Sequence, residues 1–444
     1  LNVGFISLGC AKNQVDTEIM MAYLKKSGHT IVNSLEKAEA IVINTCGFIT
    51  PAKEEAINTI IETGRLKEKG VLKCLIAAGC LSQRYGQVLL DELPELDGLI
   101  GIANIFSIEE VLNEAEKGQR LMRIDPPPET FLEKGDRLVS TPPGSAYLKI
   151  AEGCDNHCTY CTIPLIRGKY RSRPVEDLLL EAEELTKRGI REITLIAQDT
   201  AEYGCDLYGE RRLPDLLKKL AAVEDLAWIR MMYLHPAHID RELIQLISKE
   251  KKVLPYLDIP IQHFSDKILK KMNRKHGQKQ LAELFADLRD NIEGLVLRTT
   301  VMLGFPGENE EDFEQLYEFL EETEFDWLGA FSFVPEEGTP AKSMPGEVDE
   351  DTKQDRINRI LRLQQKISRK KNVALIDSRE KILISSRLKK DLYLGRAYFQ
   401  APEVDGKTMV KTDAKLKKGE FVDVCIKGVR NYDLVGEIVN ESTK

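Results

Sequence analysis

The sequence predicts an α/β chain in three parts: an N-terminal open parallel α/β sheet, a central incomplete (β/α)6 barrel and a C-terminal small all-β barrel. Three observations carry that prediction. Apolar runs alternate with amphipathic helical patterns from residue 2 to about 118, and a second series of six such units begins at Tyr147. Past Val373 the pattern changes to short strands punctuated by Gly and Asp. The length of 444 residues, too great for one ordinary core, agrees with this division.

In the first part, residues 1–118, NVGFISL, AIVINT, KCLIAA and DGLIG read as buried strands, each followed by an amphipathic segment. Residues 119–145, with RIDPPPETFLEKGDRLVSTPPGS, are rich in Pro and charge and read as a linker. In residues 146–373 the strand-like segments are YLKIA, EITLIAQ, WIRMMYL, LDIPIQ, LVLRTTVML and WLGAFSFV. Six units are too few to close an eight-stranded barrel, so an incomplete one is predicted, ended by a helix from about Glu350 to Val373. Residues 374–444 carry EKILISS, LYLGRAYF, KTMVKT, FVDVCIKGV and DLVGEIV, five short strands that suit a small β-barrel.

Composition narrows the function classes. Hydrophobic content of 42% and charged content of 30% describe a globular chain. A net charge of −9 argues against a surface built mainly to hold nucleic acid. With no long apolar run and no secretory pattern at the N-terminus, no membrane partner is expected and the chain is placed in the cytoplasm. In that reducing compartment its nine cysteines are thiols or ligands rather than disulfides.

The strongest signal is Cys154-Asp-Asn-His-Cys158-Thr-Tyr-Cys161, a C-x3-C-x2-C triplet just after the first barrel strand. Three thiolates at this spacing suit three irons of a 4Fe-4S cluster and leave the fourth iron open to a small molecule. The competing reading is a zinc site closed by His157; the triplet has no second C-x2-C unit at the usual distance. The motif resembles that of the radical S-adenosylmethionine (SAM) enzymes. That resemblance implies a radical SAM barrel in which SAM chelates the open iron and is cleaved to a 5′-deoxyadenosyl radical, with Tyr160 against adenine. The usual glycine-rich segment after the second strand is replaced by Ala197-Gln198-Asp199-Thr200, as in methylthiotransferases. The resemblance further implies SAM contacts from Gln198, from Gln262 to the ribose, from Arg298 to the carboxylate, and from Met302, Gly304 and Pro306 near adenine. The plain alternatives are a salt bridge for Arg298 and a strand-end hydrogen bond for Gln262.

A second set lies in the first part. Cys10, Cys46 and Cys80 each stand just beyond the carboxyl end of a predicted strand, and in an open parallel sheet those ends form the edge where ligands bind. Three packed core thiols are the alternative. Cys74 starts its strand and reads as a packed thiol, and Cys205 and Cys425 stand alone. Together with the downstream triplet, this set resembles the N-terminal domain of methylthiotransferases, and the last 70 or so residues resemble a TRAM domain, so the likeness spans the chain.

LGCAKNQVDTE, INTCGFI, AGCLSQRY, EGCDNHCTYCTIPLIRGKYRSRP and AQDTAEYGCDLYG resemble the RimO branch of that family. The branch implies a transferase with two 4Fe-4S clusters and SAM that adds a methylthio group to the β-carbon of an aspartate in the twelfth small-subunit ribosomal protein. It also implies the ribosome as a place of action and external electron and sulfur donors. A transfer-RNA adenosine methylthiotransferase is the nearer alternative, kept open by Lys411, Lys415, Lys417 and Lys418 in the small barrel, which read equally as a solvated edge that blocks strand pairing, and a non-catalytic metal-binding scaffold the farther one. Arg167, Arg171 and Arg173, after the triplet, are read either as partners of a substrate carboxylate or as structural pairs with acidic neighbours.

Overall fold

A strand covered on both faces has no solvent side to alternate with, so it appears in sequence as an unbroken apolar run. AIVINT and CLIAAG behave so, and all six residues of each are buried. The computed structural model describes residues 1–131 and 135–439; part of the Pro-rich stretch (132–134) and the end of the last predicted domain (440–444) lie outside the described residues. The chain divides into two units: Leu1–Ser140 with Ala151–Ser172 and Val334–Lys342, and Thr141–Ile150 with Arg173–Phe333 and Ser343–Lys444.

The first unit holds a sheet of β1 (Asn2–Ser7), β2 (Thr30–Val32), β3 (Ala40–Thr45), β4 (Cys74–Gly79), β5 (Gly98–Ile100) and β6 (Leu121–Arg123). All neighbours are parallel, in the order β2-β1-β3-β4-β5-β6. The order reverses between β1 and β3, which makes the gap beyond their carboxyl ends a topological switch point, the place where ligands bind in such sheets. Ile41, Ile43, Leu75 and Ala77 pack with Ala56, Ile60, Leu89 and Leu90 of the covering helices. The outer strands β2 and β6 are each three residues long and incompletely buried, too short to leave a periodic signature. For that reason β6 hides in the stretch read as a linker. Also in this unit, β8 (Ala151–Glu152) and β9 (Arg171–Ser172) form a short antiparallel pair.

In the second unit β7 (Ser145–Lys149), β10 (Glu192–Ile196), β11 (Trp228–Met231), β12 (Val253–Asp258), β13 (Val296–Leu303) and β14 (Trp327–Ser332) form an open parallel sheet in the order β14-β13-β12-β11-β10-β7. This is the incomplete barrel. After the helix Glu350–Ala374, β15 (Arg379–Lys389), β16 (Leu392–Arg396), β17 (Thr408–Lys411), β18 (Phe421–Arg430) and β19 (Asp433–Ile438) close a separate barrel.

The small barrel is fastened to the starting ends of the parallel strands. Glu192, first in β10, receives hydrogen bonds from Arg230 (2.9 Å) and from Arg396 (2.5 Å). Trp228, first in β11, meets Phe421 edge to face at 4.6 Å, and Trp327, first in β14, donates its indole N–H to the Phe399 carbonyl at 2.7 Å. Gly144, just before β7, lies so close to Gly419 that a Cβ would stand 2.6 Å from its Cα. The opposite, carboxyl ends of the six strands are the ligand-binding ends of a parallel α/β fold.

Candidate active site

Cys10, Cys46 and Cys80 follow β1, β3 and β4 without an intervening turn of helix, so the sheet order alone brings them to the switch point. Glycines make the approach close. Gly9 has φ of +90°, and a Cβ there would stand 2.9 Å from the Cys46 Cβ; one on Gly47 would stand 2.8 Å from the Cys80 backbone. The thiols interact electrostatically. Burial pushes Cys46 above the ordinary thiol range, and Cys10 adds to the rise. Burial pushes Cys80 up to about 11, with Cys10 and Cys46 adding and Arg167 opposing. Three soft donors that repel one another as thiolates fit a cluster whose irons supply the missing positive charge.

The Cys154–Cys161 loop leaves β8 through Gly153, whose φ is +76° and whose Cβ would stand 2.0 Å from the Lys169 carbonyl oxygen. No other residue fits there. The loop is shaped to present sulfur: the backbone N–H of Asn156 points at Cys154 Sγ and that of Ile163 at Cys161 Sγ, both at 3.4 Å. Cys154 N–H donates to the Gly168 carbonyl at 3.1 Å and Tyr170 N–H to the Asp155 carboxylate at 3.0 Å, which pins both ends of the excursion. Cys158, Tyr160 and Cys161 are half-buried, whereas His157 is exposed. The loop belongs to the same unit as the first trio, and Thr162 Oγ1 donates to the Phe48 carbonyl at 3.4 Å, two residues beyond Cys46.

Arg167 ends the short helix Ile163–Arg167 and is 1% exposed. Its guanidinium reaches Cys80 Sγ at 3.2 Å, Asn13 Oδ1 at 2.5 Å and Glu152 at 2.5 Å. Arg171 donates to the carbonyls of Arg167 (2.8 Å) and Lys169 (2.9 Å), and Arg173 pairs with Glu181 (2.7 Å). Arg167 and Arg173 thus pair with acidic neighbours, the second of the two readings, while Arg171 bonds to backbone carbonyls. A strap from 334 to 342 completes the unit: Glu336 is held by Lys53 (2.8 Å), Arg84 (3.0 Å) and Thr50 (2.9 Å), and Ala341 N–H donates to the Thr159 carbonyl (2.9 Å).

In the second unit, Gln198 follows β10, Gln262 follows β12, and Met302, Gly304 and Pro306 lie at or after the end of β13, so all five are at carboxyl ends. Gln262 has φ of +67° and Tyr233, just after β11, +62°. Side chains rarely adopt this conformation, and it clusters where a site constrains the backbone. Gly304, with φ of +73°, donates its N–H to the buried Glu308 at 2.8 Å. Arg298 is different. As third residue of β13 it lies toward the starting end, bonded to Asp258 at 3.1 Å and facing Asp405 at 3.4 Å. Its guanidinium is held in a salt bridge beneath the small barrel, so the expected contact with the SAM carboxylate is corrected to the plain alternative.

Sequence reasoning passed over Asn13, whose amide donates to the carbonyls of Leu8 (3.2 Å) and Thr45 (3.0 Å), and over a buried group at the carboxyl ends of β10 and β11. There His238 Nδ1 lies 2.7 Å from Asp199 and 3.0 Å from Glu202, with His235 alongside. Burial and the Arg274 charge hold the His235 imidazole neutral. The spacing His235-Pro-Ala-His238 just after a predicted strand was the available signal. Cys74 is a buried thiol pushed up to about 11 by burial, and Cys425 lies against the Asp377 carbonyl at 3.8 Å.

Comparison with known proteins agrees with this layout. Residues 2–101 match uncharacterized protein family UPF0004, 148–320 the radical SAM superfamily and 376–439 the TRAM domain. The chain is 60% identical to the ribosomal protein uS12 methylthiotransferase RimO of Syntrophomonas wolfei, over 98% of this chain and 100% of that one. It is 46% identical to the protein of the same name from Caldicellulosiruptor saccharolyticus, over 99% and 100%. Among solved structures, the radical S-adenosylmethionine methyltransferase TsrM from Kitasatospora setae, with cobalamin and a 4Fe-4S cluster bound, superposes with a TM-score of 0.57 at 12% identity over 77% of this chain and 73% of that one. That likeness concerns the fold. At full length and this identity, the chain belongs to the RimO family of ribosomal protein uS12 methylthiotransferases.

Proposed function

We propose that the chain is a methylthiotransferase that adds a methylthio group to the β-carbon of an aspartate in ribosomal protein uS12. In this reading Cys10, Cys46 and Cys80 hold one 4Fe-4S cluster and Cys154, Cys158 and Cys161 another, at which SAM binds. When bound, these groups supply the radical that removes hydrogen from carbon and the methylated sulfur that replaces it. The chain's own residues do the positioning. The Asn156 and Ile163 amides orient two sulfurs of the second trio, and Gly153 fixes the loop that carries them. Tyr160, Gln198, Gln262, Met302, Gly304 and Pro306 are the residues assigned to SAM. Proximity is the central demand, because a carbon radical in water is quenched by side reactions.

The observation that carries the reading is that both trios of cysteine belong to one unit although more than 70 residues separate them in sequence, so the fold rather than local order assembles them. The net charge of −9 complements a basic ribosomal protein and would steer its approach. An external electron donor, a sulfur donor and encounter with uS12 in the cytoplasm, free or on the ribosome, complete the proposal. The test is incubation of the reconstituted protein with SAM, a reductant, sulfide and isolated uS12, followed by mass spectrometry of the digested product. A methylthio adduct on one aspartate is expected. Because Lys411, Lys415, Lys417 and Lys418 are all exposed, transfer RNA is included as a second substrate; modification of it instead of uS12 would overturn the substrate assignment.

A further inference from the structure

Arg167 has no part in the reading above, yet it is among the largest fully buried side chains of the protein. Its Nη1 faces Glu152 at 2.5 Å and Asp16 at 3.6 Å, two carboxylates that already balance its charge. Its Nη2 ends instead on Asn13 Oδ1 and on Cys80 Sγ, at 2.5 and 3.2 Å. Asn13 is itself anchored by donating to the carbonyls of Leu8 and Thr45, the residues that lead into the Cys10 and Cys46 turns. Ile166 packs with Cys80 and Ile102 in a small buried cluster beside it. One guanidinium thus joins the turn after β4 to a helix that starts two residues beyond Cys161.

We propose that Arg167 is a positioning residue that raises the reduction potential of the N-terminal cluster through its hydrogen bond to the Cys80 sulfur, while fixing the second trio's loop to the first. This rests on the assignment of Cys10, Cys46 and Cys80 to a cluster. A donor on a ligating sulfur withdraws electron density and favours the reduced, more negative state, and burial strengthens the effect. The reaction has a use for it. A carbon radical and a methylthiolate bring three electrons to a two-electron carbon–sulfur bond, so one electron must leave to an acceptor, and a cluster held by Cys10, Cys46 and Cys80 would be placed to take it. A higher potential makes it a better one.

The experiment uses the full chain carrying Cys154→Ala, Cys158→Ala and Cys161→Ala, in which only the N-terminal cluster forms, and follows its reduction by electron paramagnetic resonance. Arg167→Met is expected to disfavour the reduced form at least tenfold, a shift of about −59 mV for one electron. Arg167→Lys, which keeps the charge, is expected to fall between, with iron content unchanged in both. An unaltered midpoint in Arg167→Met at full iron loading overturns the proposal. Should Arg167→Met fail to load iron, the pair Arg167→Met with Glu152→Gln removes the nearer of the two unbalanced carboxylates: a negative shift there supports the proposal, and failure to load there overturns it. Absence of iron from the parent chain with Arg167 intact would sink the cluster assignment, and the proposal with it.

Discussion

Replacing Glu192 by Gln tests how the small barrel is fastened to the parallel strands. The carboxylate is fully buried between Arg230 and Arg396. Burial raises its pKa, but the two guanidinium charges and their hydrogen bonds outweigh burial and bring it from 4.5 down to about 2. At about 1.4 kcal/mol for each pH unit, that gap corresponds to about 3 kcal/mol of stability. A lowered folded-state pKa gives stability that is fully present above pH 4.5 and is lost as the pH falls toward 2. The amide keeps the shape of the side chain but leaves two buried guanidinium groups without their counter-charge, a loss of about 3 to 5 kcal/mol. The chain's two tryptophans, Trp228 and Trp327, both sit at this junction, so their fluorescence reports on it. Urea unfolding at pH 7 should show the variant's transition at clearly lower denaturant, with the difference narrowing as the buffer is acidified toward pH 3. Equal midpoints at pH 7, or a difference indifferent to acid, would refute the argument.

Cys154→Ala is expected to abolish reductive SAM cleavage, whereas Cys46→Ala keeps cleavage and loses methylthio transfer; chromatographic assay of 5′-deoxyadenosine beside mass spectrometry of uS12 separates the two. Gly153→Ala forces a side chain into the Lys169 carbonyl and an unfavourable φ, so iron bound by the second trio should fall sharply while the first trio still loads. Arg298→Met should lower stability by about 3 kcal/mol or more, since Asp258 and Asp405 are left buried, yet leave SAM affinity measured by calorimetry unchanged. Glu336→Gln should loosen the strap that joins Lys53 and Arg84. Burial raises the Glu336 pKa but the bonds from Lys53, Thr50 and Arg84 bring it below the usual range, so the strap's contribution is present at neutral pH and lost in acid, readable by hydrogen exchange of residues 334–342.

The central strands were legible because burial on both faces leaves a continuous apolar run, and the cysteines at their ends were legible because parallel topology fixes where strand ends lie. The edge strands β2 and β6 were not, since three residues with partial exposure carry no period. Arg298 shows a different limit. Its place in β13 was readable, but which end of the strand it serves depends on Asp405, more than 100 residues later and in another domain. Asn13 was beyond reach for the same reason, and so was the contact of Arg167 with Cys80: each depends on partners that only the folded chain brings near. The pairing of Asp199 with His238 was hidden by sequence distance, although both stand just past adjacent strands.

The first unit is not a contiguous piece of chain. Residues 151–172 and 334–342 return to it after the polypeptide has departed, one to supply Ile166 and Arg167, the other to supply Glu336. During synthesis, which proceeds from the N-terminus, the opening 140 residues must wait for segments made much later before their interior is complete. A fragment cut at residue 140 would expose the apolar neighbours of Cys80 and strand Asp16 from Arg167, which is supplied downstream. Completion of this unit is thereby coupled to translation, since its interior closes only after residue 342 has been added.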